Sequence, residues 1–246
     1  MVLTNSDLLA ERQRSYVDVH CEDDSNSCPT ASNEVTFVER LPQALSYAAN
    51  LGRGDHAILF YDNLVVAAEY FCAYIDEGIN RQEATCFMGL PRGRYEKLFE
   101  QVGVKVAQLE NCGYLSHFSI QDFYMEKERL NKNKALLNVE NLLRYNMESN
   151  CKGIRFIHIQ EPPIEYNASF QDLIGFEQWL RTLYHYPVSM ICAYDAGMMS
   201  DEAAPPNLFT DLLRAHGHCF FQGMAMPTST LLGTQIRATS SKPKSP

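Results

Sequence analysis

The chain has 246 residues, 46% of them hydrophobic and 21% charged, with a formal net charge of −9. That composition supports a packed core and excludes wholesale disorder. An acidic surface without a Lys/Arg run interleaved with aromatics excludes direct nucleic-acid binding, and no window approaches the roughly 20 apolar residues that would span a bilayer.

Of the eight cysteines, Cys72, Cys86, Cys112, Cys151, Cys192 and Cys219 sit in or beside apolar runs, where reduced cysteine behaves as a small buried hydrophobe. Met1–Arg14 lacks the apolar segment of a signal peptide. A cytoplasmic location with reduced thiols is therefore expected.

Residues 1–34 read as a flexible segment, with an Asp/Glu/Ser/Asn-rich stretch at 18–34, and 227–246 as a disordered tail. The domain between, 35–226, opens with a helix from Pro42 to Ala49. Ala57–Tyr61 is the first strand, and Leu64, Ala68, Phe71 and Ile75 form one face of the next helix, which Gly78 ends. Ala84–Met88 is the second strand. A helix carrying Tyr95, Leu98, Phe99 and Val102 follows, closed by Gly103. The third strand, Tyr114–Ile120, precedes a long helix with the stripe Leu136, Val139, Leu143 and Met147. Ile154–Ile159 is cut by Pro162-Pro163, and Ser169 caps a helix with the stripe Leu173, Phe176, Leu180 and Leu183. Val188–Tyr194, a helix near Asn207–Ala215 and Cys219–Phe221 complete the order. Apolar strands separated by amphipathic helices predict an α/β fold: three layers, doubly wound, on a mainly parallel sheet of six to seven strands.

Ligands of such a sheet bind beyond the carboxyl ends of its strands. Tyr61-Asp62-Asn63 stand there after the first strand, Glu161 (beside Gln160) after the fourth, and Tyr194-Asp195 after the fifth. These six residues form a candidate ligand-binding rim if the three strands are close together. Asp62 or Asn63 could instead cap the helix from Leu64. Capping explains Glu161 less well, because two prolines follow it, and Asp195 precedes a loop, Ala196–Pro206. The carboxylates have no ordered ligand spacing, so neither a metal nor a cofactor is assigned.

A phosphate-binding loop would put glycines and a lysine after the first strand. This chain has Asp62-Asn63-Leu64-Val65-Val66 there, and Gly52-Arg53-Gly54 lies on the wrong side of the strand. Among secondary candidates, His56 lies at the edge opposite the rim, and Cys86 reads as an inert core thiol. His216 ends a helix, and His158 reads as a core residue. His218-Cys219 lacks a partnering Cys-x-x-Cys.

Gly54-Asp55-His56 opening a strand that ends in Tyr61-Asp62 resembles the start of the MEDS family of sensory domains, named for methanogens and methylotrophs. The likeness continues through Gly78, Glu83 with Cys86, Gly103-Val104, Gly113-Tyr114-Leu115, Gly153 with Arg155, Glu161, Cys192-Ala193-Tyr194-Asp195 and His216, over about residues 52–222. The resemblance implies a RecA/KaiC-like fold without its phosphate loop, used as a sensory input module in regulators of one-carbon or halomethane metabolism or beside histidine kinases. This chain departs from the family at Pro162, Pro163 and Ile164.

The expected function is therefore a non-enzymatic sensory or regulatory domain. It binds a small ligand at the rim, or passes a signal to a separate partner such as a histidine kinase or a transcription regulator; self-association is open. The rival readings are a divergent ATP-binding protein or ATPase and a pure assembly module.

Overall fold

The computed structural model describes residues 37–148, 150–160, 168–202 and 204–233. The segment 1–34, Glu161, the Pro162–Ile164 departure and the tail from 234 lie outside the described residues. The first helix, α1 (Phe37–Ala49), begins ahead of Pro42 and tolerates that proline within it.

The strands β1 (His56–Tyr61), β2 (Glu83–Met88), β3 (Leu115–Phe118), β6 (Gly153–Gln160), β7 (Val188–Asp195), β8 (His218–Phe221) and β9 (Met224–Pro227) form one sheet in the order β3-β2-β6-β7-β1-β8-β9. All pairings are parallel except β8 with β9. The expected α/β architecture on a mainly parallel seven-stranded sheet is therefore what the chain adopts.

Alternation along each strand sends successive side chains to opposite faces. Ala57, Leu59, Phe87, Ile157 and Ile191 pack against α1, α2 (Leu64–Arg81) and α3 (Arg92–Gln101). Ile58, Phe60, Cys86, Phe156, Cys192 and Tyr194 pack in the other core, with α5 (Ile120–Tyr124), α6 (Lys132–Glu148), α7 (Phe170–Leu180) and α8 (Leu208–Ala215). A short α4 (Val106–Asn111) precedes β3. Among the described residues no helix is long and apolar enough to cross a membrane.

Two hairpins were not expected. β4 (Met125–Glu126) pairs with β5 (Arg129–Leu130) around Lys127 and Glu128, at φ 48° and 62°. Gln222 and Gly223, at φ 47° and 73°, turn β8 into β9. Two consecutive left-handed residues are what a tight hairpin of type I′ needs, and neither turn carries the Asn-Gly or Asp-Gly that would announce it. Regular structure thus passes the expected boundary at 226, through β9 and helical residues 228–233. In α6 the buried stripe is Ala135, Val139, Leu143 and Asn146, while Met147 is exposed. Both stripes share Val139 and Leu143, so periodicity alone does not separate them.

Candidate functional site

β6, β7 and β1 are neighbours, so their carboxyl ends lie side by side. Phe60 is in register with Tyr194, and Tyr61 with Asp195. The two Tyr-Asp pairs are thus one residue out of step, and their tyrosines face opposite cores: Tyr61 lies on the α2 side and Tyr194 on the α7 side. Asn63 is the cap of α2, its Oδ1 accepting from the Val65 N–H at 2.8 Å, while Asp62 is exposed. Asp195 caps a 3₁₀ turn, Ala196–Ser200, within the expected loop, accepting from the Gly197 N–H at 2.8 Å.

A cavity of about 120 Å³ opens beyond β1, between Tyr61–Asn63, the α2 residues Val66, Ala67 and Tyr70, and the Gln222-Gly223 turn. Tyr70 is 2% exposed, and its hydroxyl has only the Gly223 backbone near it, without a well-formed hydrogen bond. Burial, opposed by the nearby Gly223 backbone, pushes that phenol up to about 12. A buried hydroxyl without a well-formed bond costs about 1–3 kcal/mol.

Cys86 is buried on β2, and desolvation pushes its thiol up to about 12, as an inert core thiol requires. Arg155 is fully buried and acts as a tie between segments. Its Nε donates to Glu83 at 2.6 Å, its Nη atoms donate to the carbonyls of Ala49, Tyr74 and Leu51, and its guanidinium lies 4.4 Å from the Tyr74 ring centre.

His56 and His216, far apart in sequence, meet with ring centres 4.0 Å apart. Between them stands Glu177 of α7, with Oε2 3.2 Å from His56 Nε2 and 3.3 Å from His216 Nε2. The other oxygen, Oε1, accepts from Tyr194 Oη at 2.6 Å and Gln160 Nε2 at 2.9 Å. Cys192 Sγ lies 3.3 Å from His56 Nε2 and 3.6 Å from His158 Nδ1, and the far side of that imidazole meets Tyr124 Oη at 2.7 Å. His56, Glu177, Cys192 and His216 are all buried, and their donor atoms lie within 4.8 Å of one another. Burial opposes ionisation of Glu177, but His216 and His56 outweigh it and hold the carboxyl well below its usual range. Burial, reinforced by His216, pulls His56 down to about 4; burial likewise pulls His158 down to about 4. Burial, with the charge of Glu177, pushes the Cys192 thiol up.

On the α1 side, His218 Nδ1 meets Tyr47 Oη at 2.8 Å and its Nε2 meets Asp55 Oδ1 at 3.1 Å, so the His218 imidazole joins α1 to the start of β1.

The four clustered residues come from four separate segments, and no short motif announces them. One signal was available. Glu177 falls four residues after Leu173 and three before Leu180, so the helical period sets a carboxylate on the buried stripe of α7. Such a group is retained only with partners.

Residues 55–216 match the family described as MEDS, "MEthanogen/methylotroph, DcmR Sensory domain". The chain belongs to the MEDS family. It is thereby one of a family of sensory domains, as the motif order from Gly54 to His216 suggested. No curated protein matches it in sequence. Among solved structures it is similar to the flagellar accessory protein FlaH from Methanocaldococcus jannaschii, at 10% identity and TM-score 0.42, covering 74% of this chain and 80% of that one. It is similar also to a KaiC-like protein from Pyrococcus horikoshii, at 16% identity and TM-score 0.39, over 68% and 70% of the two chains. A third likeness is to an uncharacterised Pyrococcus horikoshii protein solved with an unknown peptide, at 10% identity and TM-score 0.48, over 76% and 83%.

Proposed function

We propose that this MEDS domain senses a small molecule bound in the cavity beyond β1, and that a signalling or transcription-regulating partner reads its occupancy. The observation that carries this reading is a cavity of about 120 Å³ beyond β1, lined by apolar α2 side chains and by the polar Tyr61–Asn63 link. A cavity of about 150 Å³ holds benzene, so this one suits a ligand of about five non-hydrogen atoms with one group able to bond a hydroxyl. The walls contributed by Val66 and Ala67 are apolar, and the Tyr61–Asn63 link supplies polarity at the mouth. Asp195, exposed at the neighbouring end of β7, marks the surface where a partner reading the ligand would dock.

Nucleotide binding fits less well. The β1–α2 connection consists of Asp62 and Asn63 alone, too short for a glycine-rich cradle, and its exposed carboxylate repels phosphate.

A thermal-shift panel of one- to five-heavy-atom alcohols, aldehydes, amines and halides, run beside an equilibrium ATP titration, tests the proposal. A hit is expected with wild type and not with Val66→Phe, which fills the cavity from its partly exposed side. ATP binding with no small-molecule hit would reverse the assignment.

A further inference from the structure

We propose that His56, Glu177, Cys192 and His216 bind one divalent transition-metal ion, with Zn(II) the best match to their donor set. The proposal is independent of the cavity beyond β1, since neither His56 nor any of the other three lines it.

Around a four-coordinate tetrahedral ion with bonds of about 2.0–2.3 Å, neighbouring donor atoms sit about 3.3–3.7 Å apart. Glu177 Oε2 lies 3.2 Å from His56 Nε2 and 3.3 Å from His216 Nε2, and His56 Nε2 lies 3.3 Å from Cys192 Sγ. The whole set falls within 4.8 Å, so modest side-chain adjustments close the remaining edges onto a common centre.

His216 Nδ1 donates to the Leu212 carbonyl at 2.7 Å, which places the proton on that nitrogen and a lone pair on Nε2. This lone pair faces Oε2 of Glu177, which also offers only lone pairs. Both atoms are buried and neither completes a hydrogen bond. With His216 neutral, two acceptors held together in a dry site repel unless a proton or a metal cation lies between them, and only a metal cation also engages His56 Nε2 and Cys192 Sγ.

Tyr194 and Gln160 occupy Oε1 of Glu177, leaving Oε2 as a single ligand atom. A hydrogen on His158 Nδ1 can point at Cys192 Sγ, while Nε2 accepts from Tyr124 Oη. A backbone carbonyl behind one histidine and donors behind the carboxylate and thiolate are the outer shell that metal sites use.

Charge also balances. On binding, the Cys192 thiol releases its proton to solvent, and a 2+ ion meets one thiolate, one carboxylate and two neutral imidazoles. The buried unit is then neutral. Two imidazoles, a thiolate and a carboxylate form a borderline-soft set that favours zinc over calcium or magnesium. With all four positions filled by the chain, the ion would clamp β1, α7, β7 and the α8–β8 connection together, leaving no position open for substrate.

The test is to produce the full chain in medium with Co(II) replacing Zn(II), then measure metal per chain and the absorption spectrum. Wild type is expected to carry about one Co(II), with a thiolate-to-cobalt charge-transfer band and the intense visible bands of a four-coordinate ion. Cys86→Ser, changing a buried thiol outside the cluster, should keep all of these. Cys192→Ser should lose the charge-transfer band, and His56→Gln/His216→Gln should lower metal content at least about tenfold. Wild type with under about a tenth of an equivalent of metal overturns the proposal, on the same stoichiometric scale. So does bound cobalt without a thiolate band, or a band that survives in Cys192→Ser.

Discussion

The hydroxyl of Tyr194 donates to Oε1 of Glu177 at 2.6 Å, joining the carboxyl end of β7 to a carboxylate buried beneath the sheet. Tyr194 belongs to the strand-end motif that suggested the rim, yet its side chain turns inward. Replacing it by Phe leaves Oε1 with Gln160 alone. Tyr194→Phe should therefore destabilise the fold by about 1–3 kcal/mol, the cost of under-satisfying a buried charged acceptor. The check is the midpoint of urea unfolding at unchanged slope.

Gly89 follows β2 at φ +109°, and a Cβ added there would lie 2.0 Å from the Ile159 carbonyl oxygen. Both the backbone conformation and the space demand glycine. Gly89→Ala should cost upwards of about 3 kcal/mol or prevent soluble expression. Gly93, inside α3, gives the contrast, because a Cβ there would meet nothing within 4 Å. Gly93→Ala should be stabilising by about 0.5–1 kcal/mol. Thermal or urea unfolding of the pair separates crowding from a general intolerance of substitution.

Ser169 and Asp172 form a reciprocal capping box at the start of α7, the helix that carries Glu177. The Ser169 hydroxyl and N–H hold the Asp172 carboxyl below its ordinary value. Because the folded value is the lower one, the charged cap stabilises above the unfolded value of about 3.9 and loses that contribution as pH falls through the folded value. Asp172→Asn should cost about 1 kcal/mol near neutrality, and its difference from wild type should shrink below about pH 4. Unfolding both proteins in urea across that range tests the sign.

The described cysteines differ in access: Cys112 is exposed, Cys151 is intermediate, and Cys72, Cys86, Cys192 and Cys219 are buried. Brief alkylation of the native chain, mapped by peptide mass spectrometry, should label Cys112 first and Cys151 more slowly. The four buried thiols should react only after unfolding. Early labelling of Cys192 would contradict the packing around Glu177.

The layer order was legible because the strands are mainly apolar runs, Ala57–Tyr61 the clearest, and the long helices show 3.6-residue stripes, as with Leu64–Ile75 and Leu173–Leu183. The β4–β5 and β8–β9 hairpins were not, since Lys127-Glu128 and Gln222-Gly223 reach left-handed φ without the usual residue pair. At the rim, the sequence identified the strand ends but could not tell that a one-residue offset turns Tyr61 and Tyr194 to opposite faces. The cluster around Glu177 was least legible. Positions 56, 177, 192 and 216 become neighbours only after β1 is placed beside β7 and α7 beside α8.

The central claim, that the cavity beyond β1 holds a small ligand, is tested most directly by mass spectrometry of the molecules released on denaturing the full chain purified from its source cells. Wild type should release a single small compound at near-equimolar amount, and Val66→Phe, prepared identically, should release at least about tenfold less, in line with the about 1.4 kcal/mol that each tenfold change in affinity represents. Equal release from both proteins, no compound from wild type, or a stoichiometric nucleotide in its place would contradict it.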